Sequence, residues 1–222
     1  GRKALVNKKG MFMIEELQRI VLQRCTTARD AIRVMGELIE KYGYGDWGEC
    51  LTIADPKEVW HFEVFGEGPD KIGGVWAAIR IPDDHVGVSA NIPRISKVDP
   101  KDTDNCMASA NVFEVAKRMG FWDGKKPFRF WEAYGGGNYS GEMKSFSIRE
   151  FFILNKLAPS LRLSYDAEEL PISVKPDRQV SVTDVMALLS ETYEGTEYDM
   201  TQNLKVAVKK KDSNETDTII SP

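Results

Sequence analysis

The apolar positions in the first part of the chain recur at helical spacing. Residues 11–25 carry apolar side chains three and four positions apart, with glutamates near the start of the segment. Residues 28–42 repeat this pattern more regularly on one face, after Thr26 or Thr27, either of which can cap a helix. Gly43 follows, as is usual just beyond a helix C-terminus. The pattern therefore predicts two consecutive helices.

Between residues 49 and 95 the apolar period changes to two. Residues 59–64 and 75–81 alternate apolar and polar side chains, and a turn at residues 82–84 leads into a third alternating run at 86–90. Short turns between neighbouring strands favour an antiparallel meander. Helices followed by consecutive antiparallel strands predict a layered α+β fold.

The rest of the chain is predicted to be loops with three further helices. Residues 96–108 are polar and loop-like, and residues 135–141 form a glycine-rich loop without the Lys-Ser/Thr of a phosphate-binding loop. Helical patterns occupy residues 110–119, 148–157 and 182–193. No internal repeat is found, and low-complexity composition is confined to a polar tail after Val208.

Composition argues against several classes of partner and site. The 222-residue chain has a net charge of −4, which gives no electrostatic reason to bind nucleic acid or an anionic membrane. No apolar run approaches the roughly 20 residues that a membrane span needs. Three widely spaced cysteines without a CxxC pair favour neither a zinc site nor a disulfide framework. We therefore expect no nucleic-acid, membrane or metal partner.

The histidines and one cysteine have side chains that could act in catalysis or metal binding. The sequence pattern predicts structural roles for them instead. We expect His61 and His85 to lie on the polar face of a strand or in a turn. Cys50 belongs to an apolar strand pattern, in which a free cysteine behaves as a small buried hydrophobe. A nucleophilic thiolate needs an electropositive, partly exposed setting, which Leu51 and Ile53 do not suggest.

Asn91 is the stronger candidate for a site residue. It ends the predicted strand, and Pro93 stiffens the following turn because its ring fixes φ and restricts Ile92. A strand-end amide held in this way can donate a preorganised hydrogen bond to a developing oxyanion. The alternative is that Asn91 only forms the turn, for which asparagine is favoured in any protein.

Several long phrases resemble one enzyme family, in the same order along the chain. They are residues 42–49 (YGYGDWGE), 53–60 (IADPKEVW), 75–84 (VWAAIRIPDD), 155–160 (NKLAPS) and 193–200 (YEGTEYDM). These phrases are similar to those of the dipeptidases that use an N-terminal cysteine as nucleophile, a group that includes the secernins. The similarity covers residues 1–204, and several phrases in order are more specific than one short motif.

The resemblance implies a fold, a mechanism and two site residues. The fold is the N-terminal-nucleophile hydrolase αββα sandwich, with two antiparallel sheets between helical layers, of which this α+β chain would form part. The thiol of the N-terminal cysteine attacks the peptide carbonyl of a dipeptide while its α-amine serves as base. Asn91 resembles the asparagine that related acylases place near the oxyanion, and Arg149 resembles a late arginine of the same superfamily. No metal or organic cofactor is implied.

The resemblance also implies that the nucleophile lies outside this chain. None of Cys25, Cys50 and Cys106 occupies its place. We therefore expect residues 1–208 to be the central and C-terminal part of a catalytic domain, inactive alone, followed by a polar tail at 209–222. The alternatives are a secernin-like interaction protein of the same fold without catalysis, and an amidase acting on non-peptide amides.

Loss of the family's first strands would also leave strand edges unpaired. We therefore expect Trp60, Phe62 or Trp76 to be less covered, and the chain to associate into a homo-oligomer through the open surface. The sequence indicates neither the dipeptide preference nor the cellular compartment.

Overall fold

The computed structural model describes residues 1–137 and 142–202, and the backbone of two further strands at 205–209 and 216–220. The described chain forms two compact units, Gly1–Asp177 and Arg178–Pro222. The larger unit carries the main sheet and the helices packed on it, so the site is built from this unit alone.

The two predicted N-terminal helices are confirmed as α1 (Ile14–Arg24) and α2 (Ala28–Tyr42). The Thr27 hydroxyl caps α2 by accepting a hydrogen bond from the backbone N–H of Asp30 at 3.1 Å. Gly43 ends α2 with φ +83°, a conformation that glycine adopts without strain.

A four-stranded antiparallel sheet follows, in the order β1-β2-β3-β5. Its strands are β1 (Glu49–Ala54), β2 (Val59–Gly66), β3 (Gly74–Ile81) and β5 (Cys106–Ala108). The α+β class with antiparallel sheets is therefore confirmed, and the meander is confirmed from β1 to β3. Strand β5 lies in the segment that was predicted to be a loop. The polar residues around it gave no strand pattern, although three residues pair with β3.

The third run of the predicted meander is wrong in its length and in its partner. Strand β4 is only Val86–Gly87, and it pairs with β6 (Ser173–Val174) instead of β3. The chain after Gly87 leaves regular structure because its carbonyl groups bind arginine side chains, as described below. The turn that follows β3 therefore directs the chain away from the main sheet.

Each face of the sheet is covered. Helices α1 and α2 pack on one face, where Trp60, Phe62 and Trp76 are at most 6% exposed. The expectation that these three side chains would be less covered is wrong, because α2 supplies their cover. Strand β1 does lie at an edge of the described sheet, and self-association through that edge stays a prediction.

The opposite face packs against helix α3 (Val112–Arg118) and a π-helical turn at Trp131–Gly135. Phe65 stacks there on Tyr134, with ring centroids 5.8 Å apart. The predicted helix at 148–157 is confirmed as α4 (Ile148–Leu157). Its N-terminus carries a capping box between Ser147 and Glu150.

The smaller unit contains helix α5 (Val182–Leu189) and two antiparallel strands, β7 (Lys205–Lys209) and β8 (Thr216–Ile220). Helix α5 is shorter than predicted, and Tyr193 beyond it has a left-handed φ of +63°. Part of the predicted glycine-rich loop, residues 138–141, lies outside the described residues. No helix within the described ranges combines the length and apolarity needed to span a bilayer.

Gly36 sets the distance between α2 and the sheet. A Cβ atom at this position would lie 2.4 Å from the Trp76 ring. We predict that Gly36→Ala lowers the free energy of unfolding by about 1–3 kcal/mol, because overpacking exceeds the gain of roughly 1 kcal/mol in helix propensity. Urea unfolding measures the change, with Glu40→Ala on the exposed side of α2 as control. Equal or greater stability of Gly36→Ala would show that α2 can move outward freely.

Candidate active site

A cavity of about 530 Å³ opens beside the edge strand β1 of the larger unit. Three segments contribute to it: the approach to β1 with its first residues, the turn at 91–93, and the glycines at 135–137. Phe65 and Glu63 of β2 complete the wall. The lining residues are Gly1, Asp46, Trp47, Gly48, Glu49, Cys50, Glu63, Phe65, Asn91, Ile92, Pro93, Gly135, Gly136 and Gly137.

Glu63 connects the sheet to the turn segment. It is fully buried on β2, directly opposite Cys50 of β1. Its Oε1 accepts hydrogen bonds from the backbone N–H groups of Arg94 and of Ile95, the latter at 3.0 Å, and lies 2.7 Å from His61 Nε2. One carboxylate oxygen thus fixes both a histidine on its own strand and the chain that follows Asn91.

Arg94 holds the same segment from the other side. Its side chain is almost completely buried, and it donates to the carbonyl oxygens of Val88 at 2.9 Å and Pro171 at 2.6 Å. Burial lowers the pKa of Arg94, and the charges of Glu150 and Glu63 act in the opposite direction. Because a buried cation needs such partners, Arg94 ties the segment that runs from Val88 to Arg94 to the distant loop at Pro171.

Asn91 lies on the cavity wall, as its candidate role requires, although it does not end a strand. It is exposed and has a left-handed φ of +59°, which asparagine tolerates better than most residues. Strand β4 ends four residues earlier, at Gly87. Among the hydrogen bonds between described residues, none involves the side-chain amide of Asn91, whereas its backbone N–H contacts the Cys50 thiol.

Arg149 does not line the cavity, but it contacts the segment that carries Asn91. Its guanidinium donates from Nη2 to the carbonyl oxygen of Ala90. Arg149 thus contacts the residue that precedes Asn91 in the chain. Asn91 lies on the cavity wall, and Arg149 lies behind it. In this geometry Arg149 can position Asn91, and it does not reach the cavity itself.

Cys50 faces the cavity and not the core, so its assignment as a buried hydrophobe is wrong. The neighbouring Leu51 and Ile53 pack against the helices, and strand alternation turns Cys50 to the other face. Its thiol lies 2.8 Å from the Ser89 hydroxyl. Burial raises the pKa of the Cys50 thiol, an effect that exceeds the opposing one of the Ser89 hydrogen bond. The thiol form is favoured, which is unsuitable for a nucleophile at neutral pH.

The predicted location is correct for one histidine and wrong for the other. His85 lies in a turn as predicted, 3.0 Å from the Ser173 hydroxyl. His61 is buried beside Glu63, whereas the alternating pattern predicted a polar strand face. The sequence analysis missed Glu63 and Arg94. The signal was present, because charged side chains within strongly apolar runs require buried partners.

Three acidic residues are among those that line the cavity. Asp46, Glu49 and Glu63 line it, and burial followed by the charge of Asp46 raises the pKa of Glu49. Across the described part of the chain, no group of His, Cys, Asp and Glu side chains is arranged to hold a metal ion. The cavity therefore presents negative charge, an amide and backbone groups to a ligand.

The profile of "Peptidase family C69" matches residues 1–219. The chain belongs to peptidase family C69. The cavity is therefore part of a chain from a family of peptide hydrolases, as the phrases in the sequence predicted.

Curated proteins similar to this C69 chain include bacterial proteins named as dipeptidases. A "Probable dipeptidase" of Salmonella dublin is 31% identical over 206 residues, which is 90% of this chain and 46% of that protein. A "Probable dipeptidase" of Latilactobacillus sakei is 29% identical, over 81% of this chain and 36% of that protein. A "Probable dipeptidase B" of Streptococcus pyogenes serotype M1 is 27% identical, over 79% and 33%. The C69 chain thus spans less than half the length of these relatives.

Arg94 provides a test of how the cavity wall of this C69 chain is held. Arg94→Met should lower the free energy of unfolding by about 3–5 kcal/mol, since it leaves buried carbonyl oxygens without their donor and removes the charge that acts on Glu150 and Glu63. Arg33→Met is the control, because it removes only surface ion pairs to Asp30 and Glu37. Chemical denaturation of both variants measures the difference. Similar unfolding midpoints for the two variants would contradict a structural role for Arg94.

Proposed function

We propose that this chain is part of a dipeptidase and that the cavity beside β1 binds the dipeptide. The observation that carries the proposal is Asn91, an exposed asparagine on the wall of a cavity in a chain of a peptidase family. The cavity volume of about 530 Å³ lies in the usual range of small-ligand sites, roughly 300–1,000 Å³. The names of the similar bacterial proteins support the dipeptide as substrate.

The nucleophile in this proposal is an N-terminal cysteine outside the chain. Cys50, the internal cysteine on the cavity wall, has a thiol pKa raised by burial, which argues against it. In the proposed reaction the external thiol attacks the scissile carbonyl carbon, and its proton passes to its own α-amine. The tetrahedral intermediate then collapses, and the leaving amine takes that proton as the C–N bond breaks. Water hydrolyses the resulting thioester and releases the free acid.

Asn91 acts in this reaction as an oxyanion donor. Its side-chain N–H would bind the carbonyl oxygen as that oxygen gains negative charge, a contribution that is largest in the transition state. Its left-handed backbone is held by Arg149 at Ala90 and by the Glu63 bonds to residues 94 and 95. Preorganisation of this kind removes the need to orient the amide during catalysis. Arg149 is therefore a positioning residue.

The proposed mechanism makes a prediction about the chain by itself. We expect purified residues 1–222 to hydrolyse no dipeptide at a measurable rate, because only binding and oxyanion contributions remain without the attacking thiol. A panel of dipeptides is assayed with and without prior alkylation of the cysteines. Turnover that alkylation abolishes would identify an internal cysteine as the nucleophile and overturn this mechanism.

The proposed role of Asn91 can be tested in the full-length protein. Asn91→Gly accepts the φ of +59° without strain and removes the amide. We expect kcat to fall by about 10²–10³ with little change in KM, since one oxyanion donor is lost. Arg149→Ala should lower kcat less than Asn91→Gly does. Thermal unfolding of both variants is the control for folding. Wild-type kcat in a folded Asn91→Gly variant would show that Asn91 only forms the turn.

A further inference from the structure

The π-helical turn at Trp131–Gly135 ends in carbonyl groups that one distant arginine binds. The Arg2 side chain donates from Nε to the carbonyl oxygen of Ala133 at 2.7 Å and from Nη2 to that of Glu132 at 2.9 Å. The Arg2 backbone N–H donates to the carbonyl oxygen of Tyr134 at 3.1 Å. Because the last carbonyl groups of a helical segment have no partner within it, Arg2 caps this end of the turn.

The Arg2 guanidinium is itself held in place. It lies over the ring of Phe121, 4.7 Å from the ring centroid, while two of its nitrogens donate to neighbouring carbonyl groups. A guanidinium is planar and presents its donors as a rigid fork, whereas a lysine ammonium is a single point of charge. The contact therefore depends on the shape of arginine and not only on its charge.

The three glycines at 135–137, here called the glycine wall, line the cavity directly after this turn. A Cβ atom on Gly136 would lie 3.1 Å from Cγ of Arg2. A Cβ atom on Gly135 would lie 2.9 Å from Cγ of Pro93. Gly136 and Gly137 also have φ of +80° and +103°, which favour glycine. The main chain of the wall thus packs closely against both Arg2 and Pro93.

The π-helical turn is also bonded to the segment that follows Asn91. The backbone N–H of Phe130 donates to the carbonyl oxygen of Ser96 at 2.9 Å. The backbone N–H of Trp131 donates to that of Ile95 at 2.8 Å. The proline that contacts the glycine wall lies two residues after Asn91. A shift of the turn would therefore move the chain that orients Asn91.

We propose that Arg2 is a positioning residue that fixes the glycine wall and, through it, the orientation of the Asn91 amide. The inference rests on the proposed function, in which that amide donates to the oxyanion. Arg2 is not among the residues that line the cavity within the described part of the chain, so it acts through the wall. Positioning of this kind matters because a misplacement of about 1 Å can lower a rate by roughly 10²-fold.

The test begins with the removal of the guanidinium in the full-length protein. We expect Arg2→Ala to lower kcat by about 10-fold to 100-fold with little change in KM. Arg2→Lys keeps the charge and the aliphatic stem but not the fork, so its kcat should lie between those of Arg2→Ala and the wild type. Ethylguanidinium should restore part of the kcat of Arg2→Ala, whereas ethylammonium should not. Arg24→Ala, at the exposed end of α1, is the control and should keep the wild-type kcat.

A double-mutant cycle with Asn91→Gly shows whether Arg2 acts through Asn91. We expect Arg2→Ala to lower kcat much less in the Asn91→Gly background, because the amide that Arg2 positions is already absent. Equal losses in both backgrounds would overturn the inference, since Arg2 would then act independently of Asn91. A wild-type kcat in the folded Arg2→Ala variant would also overturn it.

Amide hydrogen exchange separates the inference from the function on which it rests. We expect Arg2→Ala to speed exchange in residues 91–96 and 130–137, while α2 keeps its wild-type rates. Unchanged exchange in both segments would overturn the inference, whatever happens to kcat. Failure of the wild-type protein to hydrolyse any dipeptide would instead remove the proposed function, and the exchange rates would still support or overturn the positioning role.

Discussion

The buried carboxylate of Glu63 is the interaction on which the rest of the site depends. It lies in the middle of β2, where its neighbours on both sides are apolar, and it is completely removed from solvent. A carboxyl group buried in this way needs hydrogen-bond partners. Its Oε1 accepts from the backbone N–H groups of Arg94 and Ile95 and lies 2.7 Å from His61 Nε2. The sheet and the turn that carries Asn91 are therefore held together by one side chain.

The segment after β4 is shaped by guanidinium groups instead of by strand pairing. Arg94 binds the carbonyl oxygen of Val88, and Arg149 binds that of Ala90. These carbonyl groups would otherwise require a neighbouring strand, because unpaired backbone acceptors in a folded interior are unfavourable. The arginines thus replace a strand partner and leave Asn91 in a left-handed turn that opens onto the cavity.

The candidate cavity brings together parts of the chain that are far apart in sequence. The first residues of β1, the turn at 91–93 and the glycines at 135–137 all contribute to its wall. The pairing of β1 with β2 places Cys50 opposite Glu63, and both residues line the cavity. In the proposed function, the side-chain amide of Asn91 on this wall would stabilise negative charge on a carbonyl oxygen.

The sequence by itself determined the local elements and the family. Helical and alternating periods gave α1, α2, α4 and the first three strands, because local spacing decides which face of an element is apolar. Long phrases indicated the family, and the same resemblance predicted Asn91 and Arg149 as candidate site residues. Only the tertiary structure decided the rest: that Arg149 lies behind Ala90, that Cys50 faces a cavity, and that Glu63 is a buried anchor. These depend on contacts between residues as far as 59 positions apart, which no local pattern encodes.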